Sequence, residues 1–126
     1  MLSQFSWTVV RNKDELERFY RGIIPNIRAA ARAEGYAIGL HGSIRRDLDL
    51  IAVPWEAVYS DANQLARAIH RSACGIENQA YRWERKPNGR VATCFPVCFP
   101  EFPEWTGELS LGHIDLSVFA VQRKGD

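Results

Sequence analysis

The chain has 126 residues, which suits one domain spanning 1–126, since single domains cluster near about 100–150 residues and a second core would have too little to bury. A formal net charge of +1 excludes a global field steering the molecule to nucleic acid or an anionic membrane, so any anion site must be a local arrangement of donors. Three cysteines, an odd count, speak against a disulfide framework, and no run of about 18 apolar residues is present to span a bilayer as a helix.

The expectation from these features is a soluble cytoplasmic protein without a membrane partner; the N-terminal MLSQFSWTVVRNKDE also lacks the basic lead and apolar stretch of a leader. A nucleic-acid partner stays open, although net charge gives it no support. In chain order, FSWTVV at 5–10 alternates like a short strand, and Asn12 with Glu15 reads as a capping box opening a helix near Lys13. Leu16, Phe19, Tyr20 and Ile23 give that helix an apolar face, Gly22 and Pro25 predict a kink or restart before IRAAARAEG, and Gly35 is the stop. YAIGLHGS reads as a buried strand ending in small residues, and DLDLIAVPW as a second strand closed by Pro54. Asp61 with Gln64 opens a helix over ANQLARAIHRSAC, which Gly75 closes.

AYRWERK and RVATCFPV flank Pro87, Asn88 and Gly89, a hairpin signal. Pro96–Gly107 carries three prolines and reads as a loop, with EFPEWTGE a rigid surface segment or a lid; HIDLSVFAV is strongly β-forming, and RKGD is a polar tail. No internal repeat or linker stands out. Helices interspersed with several strands predict an α+β fold, a small mixed β-sheet with helices packed against it.

Side chains alternate faces along a strand, so Asp47 and Asp49 project together while Leu48, Leu50 and Ala52 project the other way. Two such carboxylates repel unless a cation or open water screens them, and magnesium, which takes hard oxygen ligands, suits the pair; a solvated strand end is the bland alternative. Asp115 interrupts an apolar strand between Ile114 and Leu116, where an acid is costly unless it lies at an exposed end or meets a metal. If the two strands are neighbours, the three acids could share two metal ions, with Asp115 orienting or deprotonating an attacking hydroxyl. Upstream, Gly42 lets a phosphate approach the backbone, Ser43 supplies a donor, and Arg45 and Arg46 add charge; the same Gly-Ser pair also reads as a plain turn.

The order of these motifs, Gly42-Ser43 after a strand, Asp47-Leu48-Asp49-Leu50 on the next, and a later Ile114-Asp115-Leu116, resembles the nucleotidyltransferase superfamily typified by DNA polymerase beta and the small antibiotic nucleotidyltransferases. HGSIRRDLDLIAVPW also looks like a group of short bacterial and phage-associated proteins. The resemblance covers about residues 36–55 and 112–119 and implies a nucleotidyltransferase-like fold. It also implies transfer of a nucleoside monophosphate from a nucleoside triphosphate to a hydroxyl, here of unknown identity. In its terms Gly42 and Ser43 contact the triphosphate, Asp47 and Asp49 hold two magnesium ions, and Asp115 assists the acceptor. Only Ile44, Arg45 and Arg46 separate Ser43 from Asp47, where the superfamily places a longer segment, so a tight strand-to-strand turn is the competing reading.

Two further readings share these residues: a non-catalytic nucleotide-, metal- or partner-binding protein, and a metal-dependent phosphodiesterase or nuclease. Elsewhere, His70, Cys74, Cys94 and Cys98 can be drawn as a zinc site, but their spacing is loose and buried cysteines commonly serve as small hydrophobes. His41 and His113 precede motif residues and suit supporting hydrogen bonds. Tyr81, Arg82, Trp83, Arg85, Lys86 and Arg90 could stack on a base and hold phosphate, or simply form a half-buried hairpin. No nucleophile elbow and no Walker-type loop is present.

Overall fold

The computed structural model describes residues 13–44, 46–97 and 112–119; the expected strand at 5–10, Asn12 of the capping box, Arg45, Cys98, EFPEWTGE and the RKGD tail lie outside them. Helix α1 (Lys13–Ala33) leads into β1 (Tyr36–His41), a short turn returns along β2 (Asp47–Pro54), and helix α2 (Ala62–Cys74) follows. After α2 come β3 (Glu84–Lys86), a single 3₁₀ turn (Pro87–Gly89), β4 (Arg90–Val97) and β5 (Gly112–Phe119). The strands form one mixed sheet in the order β1-β2-β5-β4-β3, with β2 and β5 parallel and the other neighbours antiparallel. This is an α+β fold, and no helix among the described residues is long and apolar enough to cross a membrane.

The helices form where the sequence carries an apolar stripe and a stop signal. In α1 the stripe is Tyr20, Ile23, Ile27 and Ala31, all buried. It runs past Pro25 without interruption, so the expected restart does not occur: one helix spans Lys13–Ala33. Proline removes one hydrogen bond and crowds the preceding turn, and packing of the stripe on both sides of it outweighs that local cost. Helix α2 has the predicted ends. The Asp61 carboxylate accepts from the Gln64 N–H at 2.8 Å, and Gly75 closes the helix in the left-handed conformation.

Both helices pack against one face of the sheet. Ile38, Leu48, Leu50, Ala52, Phe95, Ile114, Leu116 and Val118 meet them there in one apolar cluster, because every second strand residue points inward. His70 of α2 is enclosed in this layer. Its Nδ1 lies 2.8 Å from the Tyr81 hydroxyl and its Nε2 lies 3.0 Å from the Pro96 carbonyl. A carbonyl only accepts, so Nε2 carries the proton and Nδ1 accepts from Tyr81, whose oxygen accepts in turn from the Asn78 N–H. Burial holds the His70 pKa below its ordinary value, so the ring stays neutral.

Two strand boundaries differ from the sequence reading. AYRWERK supplies only a three-residue strand, because Tyr81 turns inward to His70 and the Trp83 indole donates to Asn63 Oδ1 at 3.3 Å. β4 continues through Pro96, expected to start a loop. β3 covers only Arg90–Ala92, so among the described residues the later part of β4 has no partner on that edge, where a missing N–H is tolerated.

One helix residue ties the layers together at the strand ends. The buried Tyr20 hydroxyl donates to the Arg46 carbonyl at 2.7 Å, just before β2, and accepts from the His113 N–H of β5 at 3.0 Å. Gly112 makes room for the ring, since a β-carbon there would fall 2.7 Å from the Tyr20 oxygen. Tyr20→Phe strands an N–H and a carbonyl beneath the sheet and is expected to cost about 1–3 kcal/mol. Gly112→Ala should also destabilise by forcing Tyr20 aside. Urea unfolding midpoints check both, with no change in either variant counting against the clamp.

Candidate functional site

The face of the sheet turned away from the helices carries the acids. Parallel pairing of β2 with β5 sets Asp47 opposite His113, Asp49 opposite Asp115, and Ile51 opposite Ser117. The Asp49 row continues to His41 on β1 and to Cys94 on β4, so four strands contribute polar side chains to one line across the sheet. Asp47 stands one register step away on the same face, partly buried, with His113 exposed beside it.

Asp49 and Asp115 form the core of this line. Their carboxyls are in hydrogen-bonding contact, and the Asp115 pKa is raised, first by desolvation, then by that contact and by the charges of Asp47 and Asp49; His113 opposes the shift. Two carboxyls this close retain one proton more readily than two separate ones would. The same acids act on Tyr20 below. Its pKa is pushed up to about 12, chiefly by burial and further by Asp47, Asp115 and Asp49, so the phenol keeps the proton with which it holds Arg46.

The turn between β1 and β2 is the tight strand-to-strand connection, with no helical segment. Gly42 takes a positive φ of 72°, and a β-carbon there would lie 3.5 Å from Asp49 Oδ2, so the carboxylate sits directly against this turn. Ser43 and Arg46 are exposed beside it, and Arg45 lies outside the described residues. Gly42, Asp49 and Asp115 are therefore brought together, with Ser43 and Arg46 at the rim and Asp47 a step out. Among the described residues no three His, Cys, Asp or Glu side chains converge at metal-ligand spacing. Asp49 and Asp115 offer the hard oxygen donors that a divalent cation takes, and their mutual repulsion is what such a cation would relieve.

Beside the acids the open face sinks into a groove of about 720 Å³, a size typical of small-molecule sites. Ile51, Ser117 and Ala92, side by side on β2, β5 and β4, form its floor. On the far side stand Phe119 and three cations, Arg82, Lys86 and Arg90. Arg90 leans inward, its guanidinium 3.3 Å from Ser117 Oγ. Of the hairpin residues considered from sequence, Tyr81 is committed to His70, whereas Arg82, Lys86 and Arg90 face the groove. Ser117 and Phe119 were not singled out from the sequence, although their places two and four residues after Asp115 put them on its face.

The imagined zinc set is dispersed. Both His70 nitrogens are engaged under the sheet, while Cys94 is exposed on the opposite face. Compared with protein-family models, with curated proteins and with solved structures, the chain matches none.

Because the Asp115 pKa is raised on folding, the native state holds a proton that the unfolded chain has lost just above pH 3.8, and stability falls as pH rises through that window. The repulsion grows as pH rises. Asp115→Asn removes it and should raise Tm by a few degrees at pH 7 in metal-free buffer, with the advantage shrinking as pH falls toward 4. A lower Tm for the variant at pH 7 would refute the reading of an uncompensated carboxylate pair.

Proposed function

We propose that this protein is a magnesium-dependent nucleotidyltransferase that moves a nucleoside monophosphate from a nucleoside triphosphate to a hydroxyl. The observation that carries the proposal is the in-register contact of Asp49 and Asp115 from two parallel strands, held against the Gly42 turn at the mouth of a groove. A nucleotidyltransferase-like fold is part of the same reading, supported by the acids' position on a mixed sheet backed by two helices.

Asp49 and Asp115, with Asp47 beside them, are the residues that would hold the metal. Bound there, magnesium would neutralise the acids and withdraw charge from the phosphates. The chain's own groups divide the remaining work. The Gly42 turn and the Ser43 hydroxyl, with Arg46 at the rim, bind the triphosphate on the β1 side, next to Asp49. Asp115 lies on β5, between that side and the groove, so it faces the incoming acceptor. The acceptor oxygen forms a bond to the α-phosphorus, the bond from that phosphorus to the bridging oxygen breaks, pyrophosphate leaves, and the acceptor's proton passes to the Asp115 carboxylate. Asp115 must be ionised for this step.

Thermal unfolding in the presence of each nucleoside triphosphate tests the proposal. Magnesium and nucleotide together should raise Tm more than either alone, by an amount that grows with ligand concentration. Asp49→Asn should abolish the magnesium-dependent part, and turnover should release pyrophosphate. Release of inorganic phosphate or nucleoside monophosphate instead would assign a hydrolase, and no shift with any nucleotide at millimolar levels would assign a non-catalytic protein.

A further inference from the structure

The groove has two chemically different ends. One holds Asp49 and Asp115, the other Arg82, Lys86 and Arg90, and the floor between them is small and apolar. Glu84 also lines the second end, which stays net positive, three cations to one carboxylate.

The cations are largely uncommitted. Arg82 makes no hydrogen bond or ion pair among the described residues, and Lys86 meets only Glu84, at 3.4 Å, a carboxylate that is 74% exposed and so a weak partner. Arg90 reaches Ser117, a neutral hydroxyl, at 3.3 Å. Ser117 follows Asp115 by two residues on the same face, about 7 Å along the strand, so Arg90 is anchored one same-face step beyond the acid. That is the span of one sugar, from a hydroxyl to a phosphate carried on the same ring. Ile51, Ala92 and the Phe119 ring, all partly exposed on the open face, offer a flat ligand an apolar surface between the two ends.

From this we infer that the groove is the acceptor subsite, and that the acceptor is itself a nucleotide: phosphate against Arg82, Lys86 and Arg90, base over the floor, sugar hydroxyl toward Asp115. The inference rests on the proposed transferase reading for the word acceptor, but the binding it describes needs neither magnesium nor triphosphate. A free mononucleotide and the terminal residue of a nucleic-acid strand share this chemistry.

Titration calorimetry in EDTA separates the two claims, with AMP, adenosine and a short single-stranded oligoadenylate as probes. AMP should bind at least about tenfold more tightly than adenosine, and the Arg82→Glu/Lys86→Glu double variant should erase that difference. Ala92→Phe, which fills the floor from the exposed side, should weaken AMP by a similar factor with Tm unchanged. Arg21→Ala, an exposed change on α1 outside the groove, should leave AMP binding within about twofold. Equal affinity for AMP and adenosine, or AMP binding undiminished in a folded double variant, overturns the inference even if magnesium and triphosphate bind. Oligoadenylate binding more tightly than AMP, with the same sensitivity to the variants, supports the inference and names a strand end as the source; weaker binding supports it with the free nucleotide.

Discussion

Everything on the open face depends on the pairing of β2 with β5. Parallel neighbours must be joined by a crossover, and here α2 and the β3–β4 hairpin lie between them in the chain, so a long loop has to close before the acids meet. Burial specifies the register once it does. A slip of one residue would turn Leu48, Leu50, Ile114 and Leu116 out to solvent and the aspartates into the core, exchanging apolar burial for unpaired charge. The buried side of the sheet therefore holds the other side in place. Tyr20 strengthens this by joining the beginnings of both strands to the helix layer with a single hydroxyl.

The groove follows from the same register. Its floor row combines an isoleucine of β2, a serine of β5 and an alanine of β4, residues spread over more than 60 positions of the chain. None of the three is informative alone. Aligned across the sheet they leave a depression, and Phe119 and Arg90, which are directly paired, form its far bank. Shape and charge come from different rows, which is why an acidic end and a basic end coexist without neutralising each other.

This division explains how much was legible in the sequence. Local signals were clear. The alternation of RDLDLIAV put Asp47 and Asp49 on one face, the apolar flanks of Asp115 marked it as anomalous, and Asp61 and Gly75 bounded α2 by ordinary capping chemistry. Tertiary packing outweighed local preference at Pro25, where no restart interrupts a long amphipathic helix, and at Pro96, which stays within the RVATCFPV strand. The contact between Asp49 and Asp115 needed long-range register that no local pattern carries. The cations were visible as a basic hairpin, but their direction was not, since the division of Tyr81 from Arg82 and Lys86 depends on a buried histidine in another element.

The energetics of the acid pair point the same way as its position. Two carboxyls pressed together beside a third acid weaken a fold that could have placed threonine or serine there without repulsion. His113 opposes the repulsion, but no described salt bridge neutralises it. Arg82, Lys86 and Arg90 are on the same face, yet the described salt bridges join other residues and none reaches Asp49 or Asp115. A purely structural role would favour a cation drawn across to the acids, as Glu77 is held by Arg67 and Arg71 on the helix side. Keeping opposite charges apart at the two ends of an open groove instead leaves each end with unused interaction energy. The inferred nucleotide, with a hydroxyl at one end and a phosphate at the other, would satisfy both at once.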